Sequence, residues 1–279
     1  MRVFWITSFF ISLLFIYVFS LPSKSLLKVV ICDVGQGDAI LVSIGNWQAL
    51  IDGGPDNSVL LCLGRHMSIF DREIELVVLT HPQLDHFGGL MDVVDRYKVK
   101  RLIANPVSGE LTPEYRMFEN KLSLSSIDIE APKFGPIISG LLDGFVVSTT
   151  KTSKQLKGFS SDPNMLSIVT LFTFGDNSIL LTGDLDPETS QKLLQMGRIQ
   201  KVDLLKVPHH GSRNGLTEDF LQKTKPVKAA ISCGIKNQHG HPHKEVLEML
   251  TEFGVEVART DHDGEIVYVS DGNRLTRVR

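Results

Sequence analysis

Apolar and polar positions along the chain fall into short runs. The segments LKVVICDV (27–34), AILVSI (39–44) and WQALIDGG (47–54), separated by glycine-containing turns, predict three strands at the start of the globular part. The pattern then alternates. A helix is expected over 58–67, a strand over 74–79, a helix over 89–98 and a strand over 100–106. Patterning weakens from 107 to 163, where a helix over 112–123 behind a Thr112 cap and a strand over 144–150 are the features expected. Strands over 166–174 and 177–184, a helix over 187–196, a strand over 202–208, a helix near 217–223 and a strand at 229–232 follow. A helix over 244–253 and strands at 255–259 and 265–270 close the chain. Strands opening each half, with helices interspersed, predict two packed sheets with helices outside: an α/β, four-layer αββα sandwich forming one domain over 25–279.

The amino terminus breaks this pattern. VFWITSFFISLLFIYVF (3–19) carries no charge, which predicts an apolar helix directed to a membrane. Its length lies between that of a signal peptide and that of a spanning helix, and Arg2 and the small Ser20 suit either, so residues 1–24 are read as a signal peptide or a membrane anchor with the linker LPSKS. Both readings predict membrane association through residues 3–20, or secretion, with the remainder extracytoplasmic.

Composition narrows the chemistry only slightly. A net charge of −3 and a pI near 6.3 provide no global basic field, so a nucleic-acid partner would have to be attracted by local patches or a bound metal. Cys32, Cys62 and Cys233 are odd in number, widely spaced and set in apolar surroundings, which predicts buried small hydrophobes with neither a disulfide framework nor a cysteine zinc site.

The histidines are more informative. Of nine, His81 and His86, His209 and His210, and His239, His241 and His243 fall in three clusters, each behind an expected strand. Imidazole concentrated at strand ends serves as metal ligand or proton carrier. Asp85 precedes His86, and Asp184 ends the buried run ILLTGD, so each is a candidate ligand or general base; a carboxylate can bridge two cations with its two oxygens. His209 and His210, taken as neighbours on extended chain, should diverge so that one enters the site. Lys206 and Arg213 are expected to be solvated surface charges, and His239, His243 and His262 to stand behind the ligands or to be exposed.

Taken in order, DVGQGDAILV, LIDGG, HPQLDH, LTGD, KVPHHGS and GHPH resemble the metallo-β-lactamase superfamily, and within it the carboxy-terminal domains of ComEC-like DNA-uptake proteins. The resemblance covers about residues 28–279. It implies the αββα sandwich with one or two divalent metals at the edge between its sheets. The superfamily's His-x-His-x-Asp-His signature here reads His81, Gln83, Asp85, His86, and Asn164 and Ser167 stand where another histidine is often found. The ComEC-like branch commonly has a carboxylate in place of Gln83, so the chain departs from that branch as well. The resemblance implies His81 as a remnant of the first metal's shell, Asp85, His86, Asp184 and His241 as the complete shell of the second, and Asp38 and Asp52 as residues that shape loops near the site without binding metal directly. One tight ion is therefore expected, manganese or zinc, with magnesium also accommodated, and the other ion weak or absent.

These expectations converge on a metal-dependent phosphodiesterase or nuclease acting on DNA in competence-type uptake, with Asp85, Asp184, His209 and His210 as its catalytic candidates. One apolar segment cannot form a pore, so a separate membrane channel is implied as partner. Two alternatives stand beside this: an extracytoplasmic hydrolase of another phosphoester or of a small ester or lactam, and a degenerate relative serving as an interaction module.

Overall fold

Two sheets, each covered by helices on its outer side, make up the computed structural model, which describes residues 25–107, 112–147 and 162–279. The apolar run 3–19, and with it the expected amino-terminal helix, lies outside the described residues. Among the described residues no helix is long and apolar enough to cross a membrane.

The first sheet begins as an antiparallel meander of β1 (Leu27–Ile31), β2 (Ile40–Ile44) and β3 (Trp47–Ile51), then continues in parallel through β4 (Glu73–Leu79), β5 (Lys98–Ala104) and β6 (Asp128–Glu130). On the far side of β1, β14 (Ile266–Ser270) and β15 (Leu275–Arg277) complete the order β15-β14-β1-β2-β3-β4-β5-β6. The second sheet runs β13-β12-β11-β10-β9-β8-β7, from β7 (Gly135–Ile138), β8 (Asp143–Val146), β9 (Thr170–Phe174) and β10 (Asn177–Leu181) to β11 (Leu204–Lys206), β12 (Lys228–Ile231) and β13 (Glu256–Arg259). From β10 to β13 all pairings are parallel.

Helices α1 (Ser58–His66), α2 (Leu84–Phe87), α3 (Leu90–Arg96) and α4 (Pro113–Ser123) belong to the first half. The second half has α5 (Pro187–Gln195), α6 (Glu218–Thr224), α7 (Lys244–Glu252) and α8 (Thr260–Asp263).

Burial explains the continuous apolar runs. In β4, Leu76 and Val78 pack between the sheets with Phe172 and Ile179, whereas Val77 and Leu79 pack outward with Cys62, Val93 and Phe118. A strand buried on both faces needs no polar alternation. On the other side Leu180, Leu205 and Ala229 meet Leu193, Phe220 and Leu250 from α5, α6 and α7. The expected four-layer arrangement is therefore observed. Edge strands β6, β7 and β15 and the four-residue helices α2 and α8 are additions to the expected elements.

The cysteines require a correction. Cys32 and Cys62 are wholly buried as expected, yet they are joined as a disulfide. Cys32 leaves β1 on its outer face and Cys62 lies on the inner face of α1, so the strand-to-helix packing brings their Cα atoms to 5.8 Å, a separation suited to a bond. Cys233 is free and buried. Closing a loop of sequence separation 30 stabilises by about 3–4 kcal/mol in the chain-entropy account. Cys62→Ser is expected to lower the unfolding free energy by about 2–4 kcal/mol, read by urea titration; an unchanged midpoint would show that the bond contributes nothing.

Candidate metal centre

The parallel strands of both sheets deliver their carboxyl ends to one edge, and every candidate side chain lies there. Asp52 follows β3 with φ of 60°, Thr80 and His81 follow β4, and α2 carries Asp85 and His86. The β1–β2 loop lies against this segment: Asp38 N–H donates to the Asp85 carbonyl at 3.2 Å, and a Cβ on Gly37 would stand 2.2 Å from that same oxygen. From the second sheet Gly183, at φ 53°, passes so close to Thr80 that a Cβ there would lie 2.8 Å from the threonine Cβ. That glycine lets β10 present Asp184 to the first sheet's histidines.

Asp184 is 1% exposed and central. Its Oδ1 faces His86 Nε2 and His210 Nε2, each at 3.4 Å, and its Oδ2 faces His209 Nε2 at 3.8 Å and His81 Nε2 at 3.9 Å. Asp85 Oδ2 closes the first group, 3.5 Å from His210 Nε2 and 3.9 Å from His86 Nε2. The two oxygens of one carboxylate thus address two adjacent positions. Asp85, His86, His210 and Asp184 Oδ1 surround one; His81, His209 and Asp184 Oδ2 flank the other.

Hydrogen bonding fixes which imidazole nitrogen faces inward. Asp52, wholly buried, accepts from Thr80 N–H, from the Thr80 hydroxyl and from His86 Nδ1, each at 2.7 Å. Because the threonine proton is committed to Asp52, Thr80 Oγ1 must accept from His81 Nδ1 at 3.0 Å. One carboxylate therefore sets both tautomers, leaving each Nε2 directed at Asp184. His210 reaches the same state independently, its Nδ1 donating to the Ser232 carbonyl at 2.9 Å.

Charges within the cluster act strongly on one another. Burial opposes protonation of His210, yet Asp184 and Asp38 push its pKa up to about 10. Burial likewise opposes His86, and Asp184 with Asp52 raises it well above its ordinary value. His81, lowered to about 4 by burial and by neighbouring His86, stays neutral around pH 7. The buried carboxylates thus favour protons on His86 and His210, which a bound divalent cation would displace.

The donor set fits a divalent cation. His86 Nε2, His210 Nε2 and Asp184 Oδ1 are buried and have no hydrogen-bond partner, and inward-facing imidazole and carboxylate donors of this kind are metal ligands. Asp85, His86 and His210 place ligand atoms within 4.8 Å of one another, as do His81, His86 and Asp184. At the other position the Gln83 amide stands 3.1 Å from His81 Nε2; Asn164, where the resemblance expects another histidine, has its Oδ1 buried without a partner. Both are neutral amides where imidazole would bind more tightly. Gln83→His is expected to raise zinc bound to the metal-free protein from one ion toward two, read by titration; two equally tight ions before the substitution would refute this.

Other expected residues occupy different places. His209 and His210 do not lie on extended chain: their φ values of 51° and 54° make a left-handed turn that sends both rings to Asp184. His241, expected as a ligand, has its ring 5.7 Å from His209 and 6.3 Å from His210 between centroids, with Nδ1 buried and unpartnered. Lys206, expected on the surface, is wholly buried, with Nζ 2.9 Å from Asp38 Oδ2 and 3.0 Å from the Val207 carbonyl. Asp38 Oδ1 in turn lies 3.4 Å from His210 Nδ1. Asp52, expected to shape a loop near the site, accepts from His86 Nδ1, and Asp38, expected likewise, pairs with Lys206. Arg213 is solvated and faces Glu245 at 3.7 Å, His243 accepts from Arg213 N–H, His239 stacks on His241, and His262 is exposed.

Comparison with known proteins agrees with this geometry. The sequence profile of the metallo-beta-lactamase superfamily matches residues 32–235. ComE operon protein 3 of Bacillus subtilis (strain 168) is 31% identical over 275 residues, covering 92% of this chain and 34% of that protein. Recombination protein 2 of Haemophilus influenzae is 29% identical, covering 90% of this chain and 30% of the relative. The chain thus spans about a third of the length of these relatives. Among solved structures, the metallo-beta-lactamase fold protein YhfI from Bacillus subtilis superposes with a TM-score of 0.56 at 16% identity, covering 88% of this chain and 100% of that one. The chain belongs to the metallo-beta-lactamase superfamily of metal-dependent hydrolases, and its relatives include competence-type proteins.

Proposed function

We propose that this chain is a metal-dependent phosphodiesterase acting on DNA in competence-type uptake, held at the membrane by residues 3–20 with its hydrolase domain outside the cytoplasm and working beside a separate channel protein. The observation that carries the reading is the bridging geometry of Asp184, whose oxygens address two adjacent positions. That arrangement suits a phosphate with one oxygen attacking and another leaving. The competence-type relatives support DNA as the polymer, and the buried disulfide supports an oxidising compartment.

Asp85, His86, His210 and Asp184 would hold the tight ion, manganese or zinc, and His81, His209, Gln83 and Asn164 would flank a weaker second position. A divalent ion there supplies Lewis acidity and a water of lowered pKa. The side chains divide the remaining work by exposure. His86, His210 and Asp184 are shut from solvent and orient, whereas Asp85 and His209, with side chains 31% and 22% exposed, reach the mouth. Asp85 orients the attacking water and accepts its proton, and His209 on the opposite side of Asp184 handles the proton at the leaving oxygen. Buried Asp38 and Asp52 keep the ring nitrogens in register without touching substrate.

The test is hydrolysis by the purified chain, with manganese, zinc or magnesium added, of single- and double-stranded DNA beside a small phosphodiester and a lactam. Metal-dependent cleavage of DNA is expected. Cleavage of the small ester or lactam with DNA intact would replace this reading by that of a small-substrate hydrolase, and no metal uptake with no turnover would replace it by that of an interaction module.

A further inference from the structure

We propose that the end of the two sheets opposite the metal centre rests on the lipid interface through the turn Ile69–Phe70, so that the centre opens away from the bilayer; the proposal rests on the membrane-associated reading above and adds a face and an orientation to it.

Strand direction defines the two ends. β1 is antiparallel to β2 and β2 to β3, so β1 runs with β3 and with its parallel neighbour β4. Leu26, just before β1, and Ile69–Phe70, just before β4, therefore share the end where these strands start. The metal centre lies where β3 and β4 finish. β4 spans Glu73–Leu79, so the ends are about 20 Å apart.

Ile69 and Phe70 are 72% and 90% exposed. They are held outward by a built turn: Ser68 accepts from Asp71 N–H through its carbonyl at 2.9 Å and from Phe70 N–H through its hydroxyl at 3.3 Å. Asp71 fastens the turn to the sheet by accepting from Gln48 Nε2 at 3.0 Å. Leu26, 49% exposed, lines one depression with Ser68 and Asp71. The second sheet adds an exposed apolar residue at the same end: Leu27 pairs with Ser270, and Asp271 and Gly272 border a second depression with Leu141, which is 66% exposed. Large apolar side chains fixed in water around one end mark an interaction surface.

The sequence indicates what covers it. The uncharged run 3–19 joins Leu26 through residues 20–25, a stretch that reaches about 25 Å at most. With the run in a bilayer, that end is the part of the domain nearest the lipid, and Ile69, Phe70 and Leu26 suit the boundary between headgroups and acyl chains. Asp71, Asp176 and Asp271 offset Lys28, Arg72 and Lys98 at the same end, so the contact is apolar and added salt should not release it.

The full chain in phosphatidylcholine vesicles, carrying an environment-sensitive fluorophore on Phe70→Cys or Ile69→Cys, tests this. Ile235→Cys, also 72% exposed but three residues beyond Ser232 at the metal end, serves as reference. Cys32 and Cys62 are bonded and Cys233 is buried, so the new thiol takes the label. The expected result is a blue shift at 69 and 70, quenching by nitroxide lipid and loss of iodide quenching, with the label at 235 in water. A chain that floats with vesicles but shows iodide quenching at 70 equal to that at 235 would overturn the proposal and leave membrane association standing. Shielding from both quenchers, or shielding that persists in detergent, would assign the face to a protein contact and overturn it too. A chain that does not float with vesicles would defeat the membrane reading itself, and the orientation with it.

Discussion

Asp184→Ala is expected to abolish tight metal binding and hydrolysis together while the sandwich persists. No other side chain of the centre is placed as this one is: its two oxygens stand within 3.9 Å of four imidazole nitrogens, from His81, His86, His209 and His210. Loss of an outer partner of a ligand typically costs about 10–100-fold in metal affinity; loss of the carboxylate that both positions share should cost more. The fold survives because Asp184 is at the strand ends and not among the apolar layers built by residues such as Val78, Phe172 and Ile179. Metal-to-protein ratio after dialysis, near-ultraviolet circular dichroism and turnover are the three readings. Full occupancy in the variant would show that the metal lies elsewhere, and a lost aromatic signal would show that Asp184 is structural.

How far the sequence reveals this site depends on the scale of the signal. Within β4 the run 76–79 is apolar because it is buried on both faces, whereas Glu75 just before it is only partly buried. His81 and Asp184 are legible because they come within three residues of such runs, and Asp85 and His86 because they close the cluster that opens at His81. Edge strands such as β6, reading Asp128–Glu130, carry no such pattern, since half of their surface faces water. The Cys32–Cys62 bond depends on α1 folding back onto β1, a contact between distant segments that spacing does not reveal. The left-handed turn at His209 and His210 is similarly hidden: residues other than glycine rarely adopt it, so extended chain is the natural expectation and the second ring is overlooked. Lys206 misleads for a related reason. It ends β11, where a lysine usually turns to solvent, but the β1–β2 loop closes over it from the other sheet.

That closure makes Lys206→Met the substitution with the largest expected effect on stability. Nζ and the Asp38 carboxylate are both shut from water, 2.9 Å apart. Burial works against the Asp38 charge, but Lys206 and then His210 outweigh it and hold the carboxyl below the usual range. Methionine fills much of the same volume without the charge, so Asp38 would keep its negative charge in a dry site with only His210 and His86 to offset it. Breaking a buried pair from one side costs about 3–5 kcal/mol, much of it the penalty of the stranded partner. Adding Asp38→Asn should return part of the loss, because the stranded charge is then gone, although His210 loses the carboxylate beside its Nδ1. Urea unfolding of the two variants and the parent reads both steps. A single variant within about 1 kcal/mol of the parent would show the pair to be as dispensable as an exposed one, and a double variant less stable than the single would show that Asp38 stabilises through His210 and not through Lys206.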